Sequence, residues 1–290
     1  TMYFIHQMRK FQIRREVFVK RKYAKAVIFL SGTGTNAEKL LSSPSYGREW
    51  HCCAIVTDRP EKSRARLLAE QYGIPLVEED IFRFYAEHGL SKISIATEEG
   101  YRVRQLWTDA LRKRLAVFQP DFGLLAGFVP LTNIVGDFPC LNVHPGDLTV
   151  KQDGKRMLTG LHTLPVRKAI LAGFDHLRSS VLIATPFTPG APEMDHGHIP
   201  GISARIPVDL CGHPLKELRE NGDLLEEVAA HNLETLKRAG DWDLFPRVAA
   251  DFAAGRFGES PDGALTYDGH PVHTVDYSEA IPKPLYLTQS

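Results

Sequence analysis

Apolar runs and amphipathic segments alternate along the first eighty residues, and this order restricts the fold more than any other feature of the chain. Residues 26–30 (AVIFL) read as a buried strand, Ser31-Gly-Thr-Gly-Thr-Asn36 as a turn, and Ala37 to Leu41 as the opening of a helix. Cys52 to Thr57 is a second strand, Glu61 to Tyr72 a helix ending at Gly73, and Ile74 to Val77 a short third strand. Strands separated by single helices at this spacing pair in parallel through right-handed crossovers. The expected class is therefore α/β, a mostly parallel twisted sheet flanked by helices.

The pattern continues downstream. Residues 80–100 read as an insertion, Tyr101 to Phe118 as an amphipathic helix, and Phe122 to Ala126 as another buried strand. Leu161 to Ala172 is helical, Ser180 to Ala184 extended, and the Pro- and Gly-rich residues 185–201 form a long loop. Ile202 to Val208 reads as a strand, and Leu215 to Ala239 and Trp242 to Ala254 as helices. Asp268-Gly269 between apolar residues predicts a hairpin with a type I′ turn. These readings divide the chain into a basic N-terminal extension (1–23), a catalytic domain (24–254) and a short C-terminal hairpin tail (255–290).

Bulk composition excludes little. Formal net charge is zero and 43% of residues are hydrophobic, as in ordinary globular proteins, so neither nucleic acid nor a membrane is an expected partner. The charge is nevertheless uneven, because residues 1–25 carry eight Lys or Arg against Glu16 alone. That segment is either an arm for an acidic partner or an edge strand, since Phe11, Ile13, Val17 and Val19 are spaced in twos. No apolar run is long enough to span a bilayer. Cys52, Cys53, Cys140 and Cys211 form no Cys-x-x-Cys pair and read as small buried residues of a reducing compartment. A cytoplasmic location is expected, and the oligomeric state stays open between monomer and homodimer.

Three groups of residues carry chemistry. Asn142 and His144 stand two positions apart at the end of the apolar run Leu141–His144 and, in a strand, would face one pocket. An amide donor beside an imidazole suits a carbonyl oxygen that becomes negative during attack; the bland alternative is a satisfied core histidine. Gly32, Thr33, Gly34, Thr35 and Asn36 sit between a strand and a helix, where free N–H groups favour phosphate. Gly32-x-Gly34-x-x-Ala37 with Asp58 at the next strand end also matches a dinucleotide fingerprint. Glu193-Met-Asp195-His196-Gly-His198 offers a catalytic carboxylate, a metal set or a solvated turn; no metal is expected, for want of further ligands at suitable spacing.

Together these motifs resemble the folate-dependent formyltransferases over residues 24–254. The glycine turn matches the family's phosphate loop, Leu125-Ala-Gly-Phe-Val129 its folate-pocket motif, Asn142-Val-His144-Pro145 its catalytic motif, and Gly160-Leu-His162-Thr163 a further stretch. The resemblance implies a Rossmann-like formyltransferase fold. It also implies Asn142, His144 and Asp195 as catalytic residues, with Leu125, Phe128, Val129 and Leu131 against the folate. The implied co-substrate is 10-formyltetrahydrofolate, and the implied acceptor is the amine of glycinamide ribonucleotide, in purine biosynthesis, or of a related phosphate-bearing molecule. Arg104, Asp147, His162 and Asp241 are implied acceptor contacts. Asp147, beside the implied site, departs from the family pattern, as do the long polar stretch Val150–Thr159 and the expanded loop Pro186–Glu193, which borders the implied folate pocket. Three alternatives stay open: hydrolysis of 10-formyltetrahydrofolate, transfer to the amine of a sugar nucleotide or other acceptor, and a non-catalytic ligand-binding relative.

Overall fold

The computed structural model describes residues 23–190 and 194–287. The basic segment before residue 23, with its alternating apolar positions, lies outside them. Strands β1 (Ala24–Phe29), β2 (Trp50–Thr57) and β3 (Leu76–Glu78) alternate with helices α1 (Thr35–Leu41) and α2 (Ala65–Tyr72). Helices α3 (Ile81–Glu87) and α4 (Glu98–Leu115) follow, then strands β4 (Phe122–Leu125) and β5 (Cys140–His144). Beyond them come α5 (Leu164–Leu171), β6 (Ser180–Ile183), β7 (Gly201–Ile202), α6 (Leu215–Glu220), α7 (Gly222–Leu236) and α8 (Trp242–Ala253). The chain ends in β8 (Phe257–Glu259), β9 (Leu265–Tyr267), β10 (His270–Asp276) and β11 (Lys283–Tyr286).

These eleven strands form one mixed sheet in the order β8-β9-β10-β7-β6-β5-β4-β1-β2-β3, with β11 also paired to β10. From β5 to β3 every pairing is parallel, as the strand–helix alternation requires; β6 runs antiparallel to β5. Strand β1 sits inside the sheet and is covered on both faces, which is why its residues 26–29 are fully buried. Ala26 and Ile28 pack with α1, α2 and α8 on one face, while Val27 and Phe29 pack with α4 on the other. Cys52 and Cys53 divide between the two faces in the same way, as expected for neighbours in a strand. Cys211, by contrast, is exposed.

Several elements differ from the sequence expectation for local reasons. The insertion at 80–100 contains α3, started by Asp80, whose carboxylate accepts from the Phe82 and Arg83 amides. Helix α4 begins three residues early because Thr97 caps it, accepting from the Gly100 amide. The helix expected over 215–239 is cut in two by Asn221, whose side chain accepts from Leu224 N–H and starts α7. A wide π-helical turn, Lys237–Asp241, then links α7 to α8. Residues 202–208 do not form one strand: Gly201–Ile202 joins the main sheet, while Ile206–Pro207 pairs with His176–Leu177.

The Asp-Gly hairpin forms as expected, with Asp268 at φ 50° and Gly269 at φ 84°. Its incorporation is the surprise. Strand β10 runs parallel to β7, so the strands between Phe257 and Tyr286 extend the main sheet. Phe257, Leu265, Tyr267, Val272, Val275 and Tyr277 are buried in the same core as β1 and α8.

Candidate active site

Strand β5 is the backbone of the site. Leu141 packs into the core on the α8 face, whereas Cys140 packs on the α4 face. The pleat therefore puts Asn142 and His144 on the α4 side with Cys140. In register, Asn142 lies beside Leu125 of β4 and Leu182 of β6, and His144 beside Ser180. Asn142 is half-buried and His144 is 3% exposed.

The His144 ring is held by one hydrogen bond: Nε2 lies 2.7 Å from the Leu158 carbonyl. A carbonyl only accepts, so Nε2 carries the proton and Nδ1 holds the lone pair of the neutral ring. Burial pushes the imidazole pKa down; the Asp195 carboxylate opposes that shift, and Arg156 and Lys168 add to it. Asp195 thus lies within electrostatic reach of His144 although fifty residues separate them.

The Asp195 turn is strapped to β6, the neighbour of β5. Ile183 N–H donates to His198 O at 2.8 Å and Thr185 N–H to Met194 O at 3.0 Å. Gly197 packs so tightly there that a Cβ would fall 1.8 Å from Ile183 O. Arg156 holds the turn from the other side, its Nη1 donating to Asp195 O and its Nη2 to Gly197 O at 2.6 Å. Sequence reading missed Arg156; the only signal was a basic residue in a polar stretch longer than the motif pattern requires. Asp195, His196 and His198 do not converge as a ligand set.

The glycine turn is built into the same sheet end. Gly34 adopts φ 68°, and a Cβ there would meet Leu68 Cδ1 at 2.9 Å. Gly32 O accepts from Arg64 N–H at 3.0 Å, and Thr33 is exposed. Thr35 opens α1, followed by Asn36, whose Nδ2 donates to Asp241 Oδ2 at 3.4 Å while its Oδ1 is buried without a partner. The π-turn delivers Asp241 to this point. Ser179 Oγ–H donates to its Oδ1 at 2.5 Å, and complete burial pushes its carboxyl up to about 6. Asp58, the acid of the dinucleotide fingerprint, is spoken for: it is 2% exposed and accepts from Ser31 Oγ–H at 2.5 Å. Ser31 Oγ in turn accepts from Val129 N–H at 2.9 Å, tying the glycine turn to the Gly127–Leu131 segment.

In that segment Val129 is 46% exposed, and Phe128 stacks on Trp107 with ring centres 6.2 Å apart. Leu125 is fully buried core. Leu131 is fixed through its carbonyl, which accepts from Arg104 Nη1 at 2.9 Å. Arg104 is itself buried, with Nε donating to Tyr85 Oη, so it braces this segment from within the protein. Asp147 accepts from Thr149 N–H at 3.0 Å and closes its own turn. His162 lies on an exposed stretch before α5 with φ 55°.

No protein-family model and no curated protein sequence matches this chain. Solved structures do. Phosphoribosylglycinamide formyltransferase from Coxiella burnetii aligns over 86% of this chain and 95% of its own, with TM-score 0.58 and 22% identity. Glycinamide ribonucleotide transformylase 1 from Symbiobacterium toebii aligns over the same shares with TM-score 0.58 and 20% identity. Phosphoribosylglycinamide formyltransferase from Anaplasma phagocytophilum covers 89% of this chain and 100% of its own, with TM-score 0.56 and 18% identity. With its parallel β5-β4-β1-β2-β3 core flanked by helices, the chain has the Rossmann-like fold of these formyltransferases.

Proposed function

We propose that this protein transfers a formyl group from 10-formyltetrahydrofolate to the primary amine of a phosphate-bearing acceptor such as glycinamide ribonucleotide. The reading rests on one observation above others: a buried histidine at the end of β5, oriented by the Leu158 carbonyl and acted on by the carboxylate of Asp195.

The amine attacks the formyl carbon and a tetrahedral oxyanion forms. The Asn142 amide donates to that oxygen. The neutral His144 ring takes a proton from the attacking amine at Nδ1, and the imidazolium so formed adds a second positive donor to the site. Asp195 makes that protonation affordable in a buried position, and the proton then passes to N10 of the departing folate. The Gly127–Leu131 segment, with Phe128, Val129 and Leu131, would receive the pterin; Gly32, Thr33, Gly34, Thr35 and Asn36 would hold the acceptor phosphate. Asp241, buried with its oxygens accepting from Ser179 and Asn36, would position Asn36 rather than touch the acceptor amine.

The test is consumption of 10-formyltetrahydrofolate, followed by absorbance, with and without glycinamide ribonucleotide. Consumption that requires the ribonucleotide, with formyl appearing on it, supports the reading. Release of formate at the same rate without an acceptor would replace transfer by hydrolysis. Absence of both reactions, with folate still bound, would make the chain a ligand-binding relative.

A further inference from the structure

Among the described residues, one group of side chains able to ligate a metal lies apart from those of the formyl-transfer reading. A carboxylate oxygen of Asp209, Sγ of Cys211 and a ring nitrogen of His231 all lie within 4.8 Å of one another, and all three residues are exposed. Asp209 and Cys211 belong to the loop before α6, and His231 to α7, so the fold alone assembles the set.

The loop is pre-shaped. Cys211 holds φ 54° and Gly212 φ 80°, in a turn closed by His213 N–H donating to Leu210 O at 3.0 Å. Asp209 Oδ1 accepts from Cys211 N–H at 2.8 Å, which leaves Oδ2 facing His231. Buried Asn232, the neighbour of His231 on α7, clamps the loop by its backbone. Its Nδ2 donates to Asp209 O at 2.7 Å and its Oδ1 accepts from Asp209 N–H at 2.9 Å. The loop therefore cannot drift from the helix without breaking two bonds to a buried amide.

One distance is informative. His231 Nε2 lies 3.3 Å from Asp209 Oδ2, longer than the ~2.7–2.9 Å of a charge-assisted hydrogen bond. Two ligands at ~2.0–2.1 Å from a tetrahedral zinc ion stand about 3.3 Å apart. A thiolate, an imidazole and a carboxylate suit a borderline-soft divalent ion, whereas calcium and magnesium take oxygen ligands. We propose that Asp209, Cys211 and His231 form a binding site for zinc or a similar divalent ion, with water completing the tetrahedron. As the ion binds, a sulfur–metal bond forms and the Cys211 thiol proton passes to solvent. The bound ion would pin the 209–213 loop to α7.

The probe is Zn²⁺ alone, added to the chelator-treated full-length protein, and the readout is the rate of Cys211 alkylation, located by peptide mass spectrometry. Cys211 is the one exposed cysteine of the four, which makes the readout specific. Zinc at ten times its Kd should slow alkylation roughly tenfold, since about a tenth of the thiol stays free. His231→Ala and Asp209→Asn should each remove the protection; Asn retains the Oδ1 that accepts from Cys211 N–H, so the turn persists. Cobalt(II) should give a thiolate charge-transfer band in the native protein and none in Cys211→Ser. Unchanged alkylation of the native protein under zinc, or equal protection in His231→Ala, overturns the site. Neither arm depends on formyl transfer.

Discussion

His144 and Leu158 are joined by a 2.7 Å hydrogen bond from the imidazole Nε2 to a backbone carbonyl fourteen residues downstream. This contact fixes the ring tautomer and depends on the absence of a side chain at Gly146. A Cβ there would stand 2.6 Å from Leu158 O and 3.1 Å from His144 Nε2. Gly146→Ala should therefore push the two partners apart. The expected cost is about 1–3 kcal/mol of folding stability, as for other overpacked sites, with a larger proportional loss of formyl transfer. Urea denaturation beside steady-state kinetics checks this; a variant with native stability and turnover would show that the bond does not orient the ring.

The charge state of His144 follows from its surroundings. Burial holds its pKa below the usual histidine value and Asp195 works against burial. Asp195→Asn removes the opposing carboxylate, so the pKa should fall further and the ring stay neutral to lower pH. Histidine NMR titration of both proteins reads this directly. The folded state binds this proton less readily than the unfolded chain. Its stability contribution is thus present above the unfolded pKa, near 6.5, and lost as pH falls toward the folded value. A His144 resonance that titrates identically in both proteins would remove Asp195 from the site.

Asn142 is the oxyanion donor under the proposed mechanism. Asn142→Ala should lower kcat on the order of 10²–10³ while leaving KM nearly unchanged, because the bond is made to charge that develops only in the transition state. Activity within about threefold of native would exclude that role.

Arg156 secures the turn that carries Asp195. Arg156→Met keeps the aliphatic stem but removes both donors to Asp195 O and Gly197 O. Hydrogen exchange across 194–198 should quicken about tenfold or more, since bonds to a charged group contribute about 1.5–3 kcal/mol. Turnover should fall with it. Unchanged exchange would mean that the bonds to β6 hold the turn unaided.

Asp241 gives a pH signature in stability. Its carboxyl is raised by burial from 3.8 to about 6. The folded state thus favours the protonated form, and that stabilisation, complete below pH 3.8, is lost as pH rises through about 6. Asp241→Asn lacks this loss. Its stability relative to the native protein should rise by on the order of 3 kcal/mol between pH 4 and 7. The Asn36 amide can rotate to turn its unpartnered Oδ1 toward the new NH₂ group. A stability difference flat across this range would mean that Asp241 does not titrate there.

The sequence by itself determined the strand–helix alternation, the parallel half of the sheet and the common face of Asn142 and His144. Each of these is written in local periodicity: apolar runs in β1, β2, β4 and β5, helical spacing between them, and a two-residue pleat at the end of β5. The type I′ turn at Asp268-Gly269 was legible for the same reason, since its backbone demands are met by two adjacent residues. What only the tertiary structure decided are contacts between distant segments. Nothing local to Asp195 places it near His144; the strapping of 194–198 onto β6 and the grip of Arg156 do so. The family resemblance implies Arg104 as an acceptor contact, but the packing of α4 turns it inward to Tyr85 and Leu131. The extra turn at Lys237–Asp241, which carries Asp241 to Asn36, depends on packing against Ser179 and has no periodic signal. The C-terminal hairpin likewise shows its own turn in the sequence but not its partner, because the pairing of β10 with β7 joins residues some seventy positions apart and local pattern carries no information about such distances.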